Sequence, residues 1–480
     1  MNTNITALLL IAAAIGICAG NAEATTPARP NIIVLLSDDQ DWNGLSVPMH
    51  PDMPGSKSDY HETPRLETFA AQGMRFSNGY APAPVCSPTR ISLQTGMTTA
   101  RLGWTKAAPP EANHKLIEGD CRKSIRDEET TIAEVLRTAG YATAHFGKWH
   151  LSGGGPERHG YDVSDGDTGN RDADPHIDPN PVDIFGMTDR ATSFMEKQTK
   201  AGKPFFLQMS YHALHVPGNA MKSSLAHFEA KSPGKLHRDP ARAAITLDLD
   251  TGVGRLLDAV HDMGLEKNTY VIYMADNGGG GGGGKGAASA LRGGKGGLAE
   301  GGIRVPFIVR GPGIAPNSWC HQPVVGYDWF PTFCHWAGVK ETPPATLDGG
   351  DLTPLLTGGK EVVKRHDPAL LFHFPHYQGD APQSAIREGD LKLVLYHEDQ
   401  SYRLFDLSAD PSEQHDLAKT RAEDAARLAG RLRARLAEAG AKMPKPNPAY
   451  DPAREPVRRK GGKQDKTEKR GGRNHQDTGR

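Results

Sequence analysis

Two adjacent carboxylates, Asp38 and Asp39, follow directly on an apolar run (NIIVLLS, Asn31–Ser37) that reads as a β-strand buried on both faces. In open α/β sheets ligands gather at the carboxyl ends of strands, so the pair stands where chemistry is done. Side by side, two such charges repel unless a cation or protons compensate. Asp276 and Asn277 repeat the arrangement after a second apolar run, VIYMADN. Together they offer three carboxylates and an amide oxygen, a hard-oxygen set that suits calcium or magnesium rather than zinc. Either pair alone also serves as a turn or a helix cap; two pairs, each ending an apolar strand, point to a metal site.

A second candidate is Cys86-Ser87-Pro88-Thr89-Arg90, followed by Thr95-Gly96. Pro88 suits the first turn of a helix, which would put Cys86 where backbone N–H groups and the helix dipole attract an anion. Arg90 adds a permanent positive charge. From chemistry alone Cys86 is either a reactive thiolate or a cysteine packed ahead of a helix.

The elements that must hold these residues form an alternation of short apolar runs and helical patterns, the signature of a parallel α/β sheet. Strands are expected at Asn31–Ser37, 141–146, Phe205–Ser210, 270–275 and 305–309. A helix is expected over 63–73, with Thr63 as cap, Pro64 in the first turn and Gly73 as stop. Thr131 and Glu134 have capping-box spacing before a helix that ends at Gly140, and a long helix fills 240–263. After about residue 365 the pattern changes to strands at Leu370–Phe374, Leu391–Tyr396 and 402–407, then a helix over 421–439. The predicted organisation is a signal peptide over 1–24, a catalytic domain over 25–364, a C-terminal subdomain over 365–444 and a disordered tail over 445–480.

The run CSPTRISLQTG (86–96) resembles the signature of type I sulfatases, in which the cysteine is oxidised to formylglycine by a formylglycine-generating enzyme. The likeness continues through SDDQ (37–40), GKWH (147–150), HVP (215–217), ADNG (275–278) and GGKGGLAEGGIRVP (293–306), over nearly the whole chain and in family order. Thr89 stands where many members have Ser. The resemblance implies an alkaline-phosphatase-like α/β fold: a large, mostly parallel mixed sheet flanked by helices, with a smaller C-terminal α+β subdomain. It also implies Asp38, Asp39, Asp276 and Asn277 as ligands of one Ca2+, with an oxygen of the formylglycine hydrate at position 86 completing the site. Arg90 would hold that hydrate. Lys148 and His150 match the family's Lys-x-His pair, His215 the histidine near the leaving group, and Lys295 the lysine that grips sulfate. His212, His373 and His376 are further candidates for substrate contact, with core packing as the other place for His373. The activity implied is hydrolysis of a sulfate monoester, with a sulfated carbohydrate as the expected substrate.

Competing readings are a formylglycine-dependent phosphonate or phosphodiester hydrolase, a non-catalytic binder of sulfated glycans, and a cysteine hydrolase. The last leaves both acidic pairs unexplained. The glycan binder has no need of His150 and Lys295 beside a full metal set.

The 480 residues suit a large α/β body with an appendage. Lys and Arg (56) balance Asp and Glu (57), which gives no case for nucleic acid. The apolar stretch over 7–20 followed by Ala22-Glu23-Ala24 reads as a secretory leader, so export to a periplasm or the extracellular space is expected. No other apolar run approaches a membrane span. In an oxidising compartment Cys320 and Cys334 are close enough in sequence for a short disulfide; with Cys121, three reduced buried thiols are the alternative. The run of glycines over 278–284 reads as a mobile loop beside the site. The tail, with roughly ten basic residues against four acidic ones from Arg454 onward, is either an electrostatic handle for acidic polymers or a solvated end.

Overall fold

The computed structural model describes residues 29–279, 290–340 and 346–456. The expected leader, residues 280–284 of the glycine run and the tail from 457 onward lie outside them. Eight strands form the central sheet: β1 (Asn31–Ser37), β2 (Met74–Phe76), β3 (Ala142–Gly147), β4 (Val163–Ser164), β5 (Phe205–Ser210), β6 (Thr269–Ala275), β7 (Phe307–Arg310) and β8 (Ser318–Cys320). Their order across the sheet is β8-β2-β7-β6-β1-β5-β3-β4. Only β7 runs antiparallel to its neighbours, so the sheet is mixed and mostly parallel.

The central strands are uninterrupted apolar runs because both of their faces are covered. Along β1, Ile32, Val34 and Leu36 join one core and Ile33 and Leu35 the other. The first core is closed by α2 (Cys86–Thr95), α3 (Ile132–Thr138) and α7 (Trp329–Trp336), which contribute Ile91, Leu136 and Phe333. The second is closed by α1 (Pro64–Ala71), α4 (Ile184–Lys200) and α5 (Pro240–Asp262), through Phe69, Met187 and Val253.

Local signals resolve as expected in some places and differ in others. The capping box at Thr131 forms in both directions, with Glu134 N–H on the Thr131 hydroxyl and Thr131 N–H on the Glu134 carboxylate. Thr63 precedes α1 but does not cap it; its hydroxyl instead accepts from Ser46 N–H. The first-turn N–H groups of Arg65 and Leu66 go to the Asp250 carboxylate on α5, a long-range cap that no local pattern announces.

The C-terminal subdomain is an antiparallel sheet of β9 (Leu370–Phe374), β10 (Gln383–Glu388), β11 (Leu391–Tyr396) and β12 (Tyr402–Asp406), in that order. Strand β10 has no counterpart in the sequence reading, because QSAIRE carries too few apolar residues to announce a half-buried strand. One face of this sheet packs on α8 (Ala422–Glu438) through Leu393, Leu404, Leu428 and Leu432. The other packs on the catalytic body, with Phe372, Val394 and Phe405 against Leu298 and Ile303.

One expectation needs correction, and the open choice for the cysteines falls on the reduced alternative. Lys445 and Pro446, placed by composition in the disordered tail, pair as a short strand with Leu116 and Ile117. The backbone pairing is met by a distant segment, which composition does not register. Cys320 and Cys334 are free thiols, one on β8 and one inside α7, and both are buried. Among the described residues no helix is long and apolar enough to cross a membrane.

The two thiols give a direct test. Protein denatured without reductant should release both Cys320 and Cys334 to a thiol reagent, with no gain on prior reduction; a mass shift showing a 320–334 disulfide would contradict this packing.

Candidate functional site

Four neighbouring parallel strands end at one edge and deliver the site. Ser37 of β1 lies in register with Ala275 of β6, so Asp38–Asp39 and Asp276–Asn277 emerge side by side. Gly147 of β3 pairs with Ser210 of β5, so Lys148 and His150 emerge next to His212 and His215. Crossing bonds fix these exits: Asp276 N–H donates to Ser37 O (3.0 Å), Asp38 N–H to Ala213 O (2.8 Å) and Lys148 N–H to Ser210 O (2.8 Å). Asp39 and His150 both adopt left-handed backbone, with φ of 57° each, a conformation uncommon outside glycine but one that Asp and His adopt more readily than most. Gly278 is required where it stands, because a Cβ there would lie 1.9 Å from Gly301 O.

Cys86 opens α2, as Pro88 suggested, and its side chain is buried over the strand ends. Its Sγ lies 3.4 Å from Asp38 Oδ1, 3.8 Å from Asp39 Oδ1 and 3.5 Å from Lys295 Nζ. Asp38, Asp39, Asp276 and Cys86 bring ligand atoms within 4.8 Å of one another. Arg90 donates from Nε (3.1 Å) and Nη2 (2.7 Å) to Asp276 Oδ2, from Nη2 to Asp38 Oδ2 (3.3 Å) and from Nη1 to Lys148 O (2.5 Å). Lys148 Nζ donates to Asp38 Oδ2, and Lys295 Nζ donates to Asp39 Oδ1 (2.6 Å) and Oδ2 (2.8 Å). Three carboxylates thus face three cations, nearly all out of water.

The electrostatics follow from that crowding. Burial works to raise the Asp38 carboxyl, but Lys148, Arg90, His215 and Lys295 together hold it well below the usual range. At Asp276 burial wins, reinforced by repulsion from Asp38, and its carboxyl is raised. Burial, then Asp276 and Asp38, push the Cys86 thiol well up. That is the opposite of the shift a thiolate nucleophile needs, and the cysteine-hydrolase reading also leaves the two acidic pairs without a role. His150 is pushed down to about 2 by burial, Lys148 and Arg90, and His212 to about 4 by burial and Lys148; both rings are neutral at ordinary pH.

The chain's residues fit a hard divalent cation. The donor set is three carboxylates, and the Asn277 Oδ1 atom is buried without a hydrogen-bond partner while its Nδ2 donates to Asp39 Oδ1 (2.8 Å). An orphaned buried oxygen beside three acids is a position that such a cation would satisfy.

The sequence-derived residues Asp38, Asp39, Cys86, Arg90, Lys148, His150, His212, His215, Lys295, Asp276 and Asn277 all gather at this edge. His215 sits at the half-exposed mouth, its Nδ1 bonded to Val216 O (2.8 Å). His373 does not reach the lip: both ring nitrogens are engaged inside the C-terminal subdomain, with Ser384 Oγ (2.7 Å) and Lys442 O (3.2 Å). His376 is equally enclosed, between Glu118 (2.8 Å) and Thr105 (2.6 Å). For His373 this is the core-packing alternative; for His376 it is a correction, since a place on the turn after β9 does not tell whether a side chain meets substrate or a second layer. Arg242 went unnoticed in the sequence. It donates to the carbonyls of Asp39 and Leu214, tying the acidic loop to the His215 loop. Its partners lie 203 and 28 residues away, so no local signal marks it.

A family model described as Sulfatase matches residues 30–339, and another described as N-sulphoglucosamine sulphohydrolase, C-terminal, matches 295–442. The chain is 30% identical over 469 residues to arylsulfatase A of Bos taurus, covering 84% of this chain and 85% of that protein. It is 30% identical over 390 residues to N-acetylgalactosamine-6-sulfatase of Mus musculus, covering 74% and 70%. The crystal structure of Ps i-CgsB superposes with a TM-score of 0.70 at 25% identity, over 85% of this chain and 93% of that one. With the family model spanning the strands that carry the acidic pairs, the cysteine helix and the paired lysines, the chain belongs to the sulfatase family, enzymes that hydrolyse sulfate esters, on an alkaline-phosphatase-like fold.

Proposed function

We propose that this chain is an exported sulfatase that releases inorganic sulfate from a sulfated carbohydrate, using a formylglycine made from Cys86 and one calcium ion. The observation that carries the reading is the placement of Cys86 Sγ 3.4 Å from Asp38 Oδ1, 3.8 Å from Asp39 Oδ1 and 3.5 Å from Lys295 Nζ, a setting that suits an oxygen-bearing successor. Cys86 Sγ stands in for an oxygen of that successor. Once oxidised by a formylglycine-generating enzyme and hydrated, position 86 carries two hydroxyls on one carbon, one to attack sulfur and one whose deprotonation later expels sulfate. Calcium, held by Asp38, Asp39, Asp276 and Asn277, would supply Lewis acidity toward oxygen.

The chain's own groups cover the remaining needs. Arg90 orients the hydrate through its position between Asp276 and Asp38. Asp276, its carboxyl raised by burial, accepts the proton of the attacking hydroxyl. Lys148 and Lys295 balance the charge that grows on the sulfuryl oxygens. Nδ1 of His215 donates to Val216 O, so when the ring is the imidazolium its Nε2 proton is the one passed to the departing alcohol oxygen, leaving the Nδ1–H tautomer behind. His150, kept neutral, takes the proton of the second hydroxyl, and the anionic sulfate beside it offsets the cations that depress its basicity.

Substrate class is inferred from the named relatives, arylsulfatase A and N-acetylgalactosamine-6-sulfatase. Export is inferred from the apolar stretch over 7–20 and the small residues around Ala24. The first test is free sulfate, by ion chromatography, from a panel of sulfated glycans and p-nitrophenyl sulfate with protein matured in the presence of a formylglycine-generating enzyme. Release should fall to the level of protein-free solution in Cys86→Ala. Cleavage of phosphate diesters in preference to every sulfate ester would assign the chain to the phosphonate and phosphodiester hydrolases instead.

Chelation followed by dialysis should abolish release and lower the thermal midpoint, and calcium at one equivalent per chain should restore both. Equal restoration of both by magnesium would overturn the calcium assignment. His215→Ala should lower kcat on an alkyl or sugar sulfate by about 10²–10⁴-fold. On p-nitrophenyl sulfate, whose leaving group needs no proton, the loss should be far smaller; equal losses on the two substrates would remove His215 from the general-acid role.

A further inference from the structure

Lys295 reaches Asp39 and position 86 from the loop over 293–299, and that loop is gripped from two sides. On the catalytic side, Lys295 N–H donates to Gly279 O (2.9 Å) and Gly296 N–H to Pro84 O (2.9 Å). From the C-terminal sheet, Gln383 Oε1 on β10 accepts from Leu298 N–H (3.0 Å), and Gly379 N–H donates to Gly296 O (3.1 Å).

Immediately after the loop, Glu300 opens the short helix α6 (Glu300–Ile303), within a buried ionic cluster. Lys392 Nζ on β11 donates to Glu300 Oε1 (2.8 Å) and lies 3.0 Å from Glu413 Oε1. Glu413 Oε2 accepts from Glu300 N–H (2.8 Å), and Tyr80 and Arg304 meet Glu300 Oε2 at 2.6 and 2.9 Å. The side chains of Lys392, Glu300 and Glu413 are all 0% exposed.

A buried cluster of this kind is a poor source of stability. Desolvating the ions costs about as much as their attraction returns, and apolar residues of equal volume often serve as well or better. What hydrogen-bonded charges supply and apolar residues do not is a single geometry. The geometry fixed here is the far end of the Lys295 loop, held by Lys392 and Glu413 of the C-terminal subdomain together with Tyr80 and Arg304 of the body.

We propose that Gln383 and Lys392 are positioning residues for Lys295: the C-terminal sheet, through Leu298 N–H and Glu300, sets where the Lys295 ammonium stands relative to Asp39 and position 86. The inference rests on the reading of Lys295 as the group that grips sulfate. Neither residue touches substrate, so the effect must pass through Lys295 and vanish when Lys295 is absent.

The test is a double-mutant cycle on full-length matured protein with p-nitrophenyl sulfate as probe. Gln383→Leu and Lys392→Met are made with Lys295 intact and again with Lys295→Ala. Displacement of a catalytic group by about 1 Å costs about 10²-fold, so each substitution should lower kcat/KM by about 10–10²-fold with Lys295 present and by less than about twofold without it. Losses of equal factor in both backgrounds would overturn the proposal, because they would mark general damage.

If Lys392→Met does not fold, Gln383→Leu decides alone, since it removes one neutral acceptor and strands no charge. Hydrogen exchange gives a readout that needs no activity. In Gln383→Leu the amides of Lys295 and Gly296 should exchange faster, although their own acceptors, Gly279 O and Pro84 O, are untouched. Unchanged exchange there would sink the proposal even if the wild-type protein released no sulfate, a result that would count separately against the sulfatase reading.

Discussion

Three carboxylates, Asp38, Asp39 and Asp276, end two adjacent parallel strands in a place that water scarcely reaches, and everything around them compensates that charge. A buried carboxylate without a partner either takes up a proton or destabilises the fold. Here Arg90, Lys148 and Lys295 arrive from a helix, a third strand end and a loop, and each is aimed at a named carboxylate oxygen. The convergence of these elements is therefore a requirement of electrostatics, and the register of β1 with β6 and of β3 with β5 is what permits it. A bound divalent cation would share the same carboxylates with the lysines. Lys295, which holds both oxygens of Asp39, is the cation most directly affected by that competition.

The same negative field decides the fate of Cys86. A cysteine at a helix N-terminus beside arginine and lysines has the usual makings of a thiolate, but burial and two facing carboxylates prevail. Strong hydrogen-bond donors and acceptors thus surround a side chain that, as a thiol, makes little use of them. A polar group with two oxygens on one carbon, such as the hydrate proposed for position 86, would use them more fully.

Compensation extends beyond the site into the C-terminal subdomain. Its antiparallel sheet covers the Lys295 loop with apolar side chains and binds it with Gln383, Lys392 and Glu413. The subdomain thereby becomes part of the catalytic framework rather than an attached module. The enclosure of His376 between Glu118 and Thr105 of the body fits this role.

Much of this was legible in the sequence, and for definite reasons. Uninterrupted apolar runs ending in paired acids announce buried parallel strands with a polar edge, because only strands covered on both faces carry such runs. Pro88 placed Cys86 at a helix start, and the capping box at Thr131 is a local bond pattern written in four residues. What the sequence could not decide is anything that depends on a partner far along the chain. Asp250 capping α1, Arg242 joining Asp39 to Leu214, the pairing of Lys445 with Ile117, the inward turn of His373 and the Lys392–Glu300–Glu413 cluster all join residues tens to hundreds of positions apart. By itself the sequence determined which residue types stand at the ends of which strands, since periodicity and turn chemistry are local. Only the tertiary structure decided which of them face one another, because that depends on strand order and sheet packing, whose energies come from contacts that no short window of sequence contains.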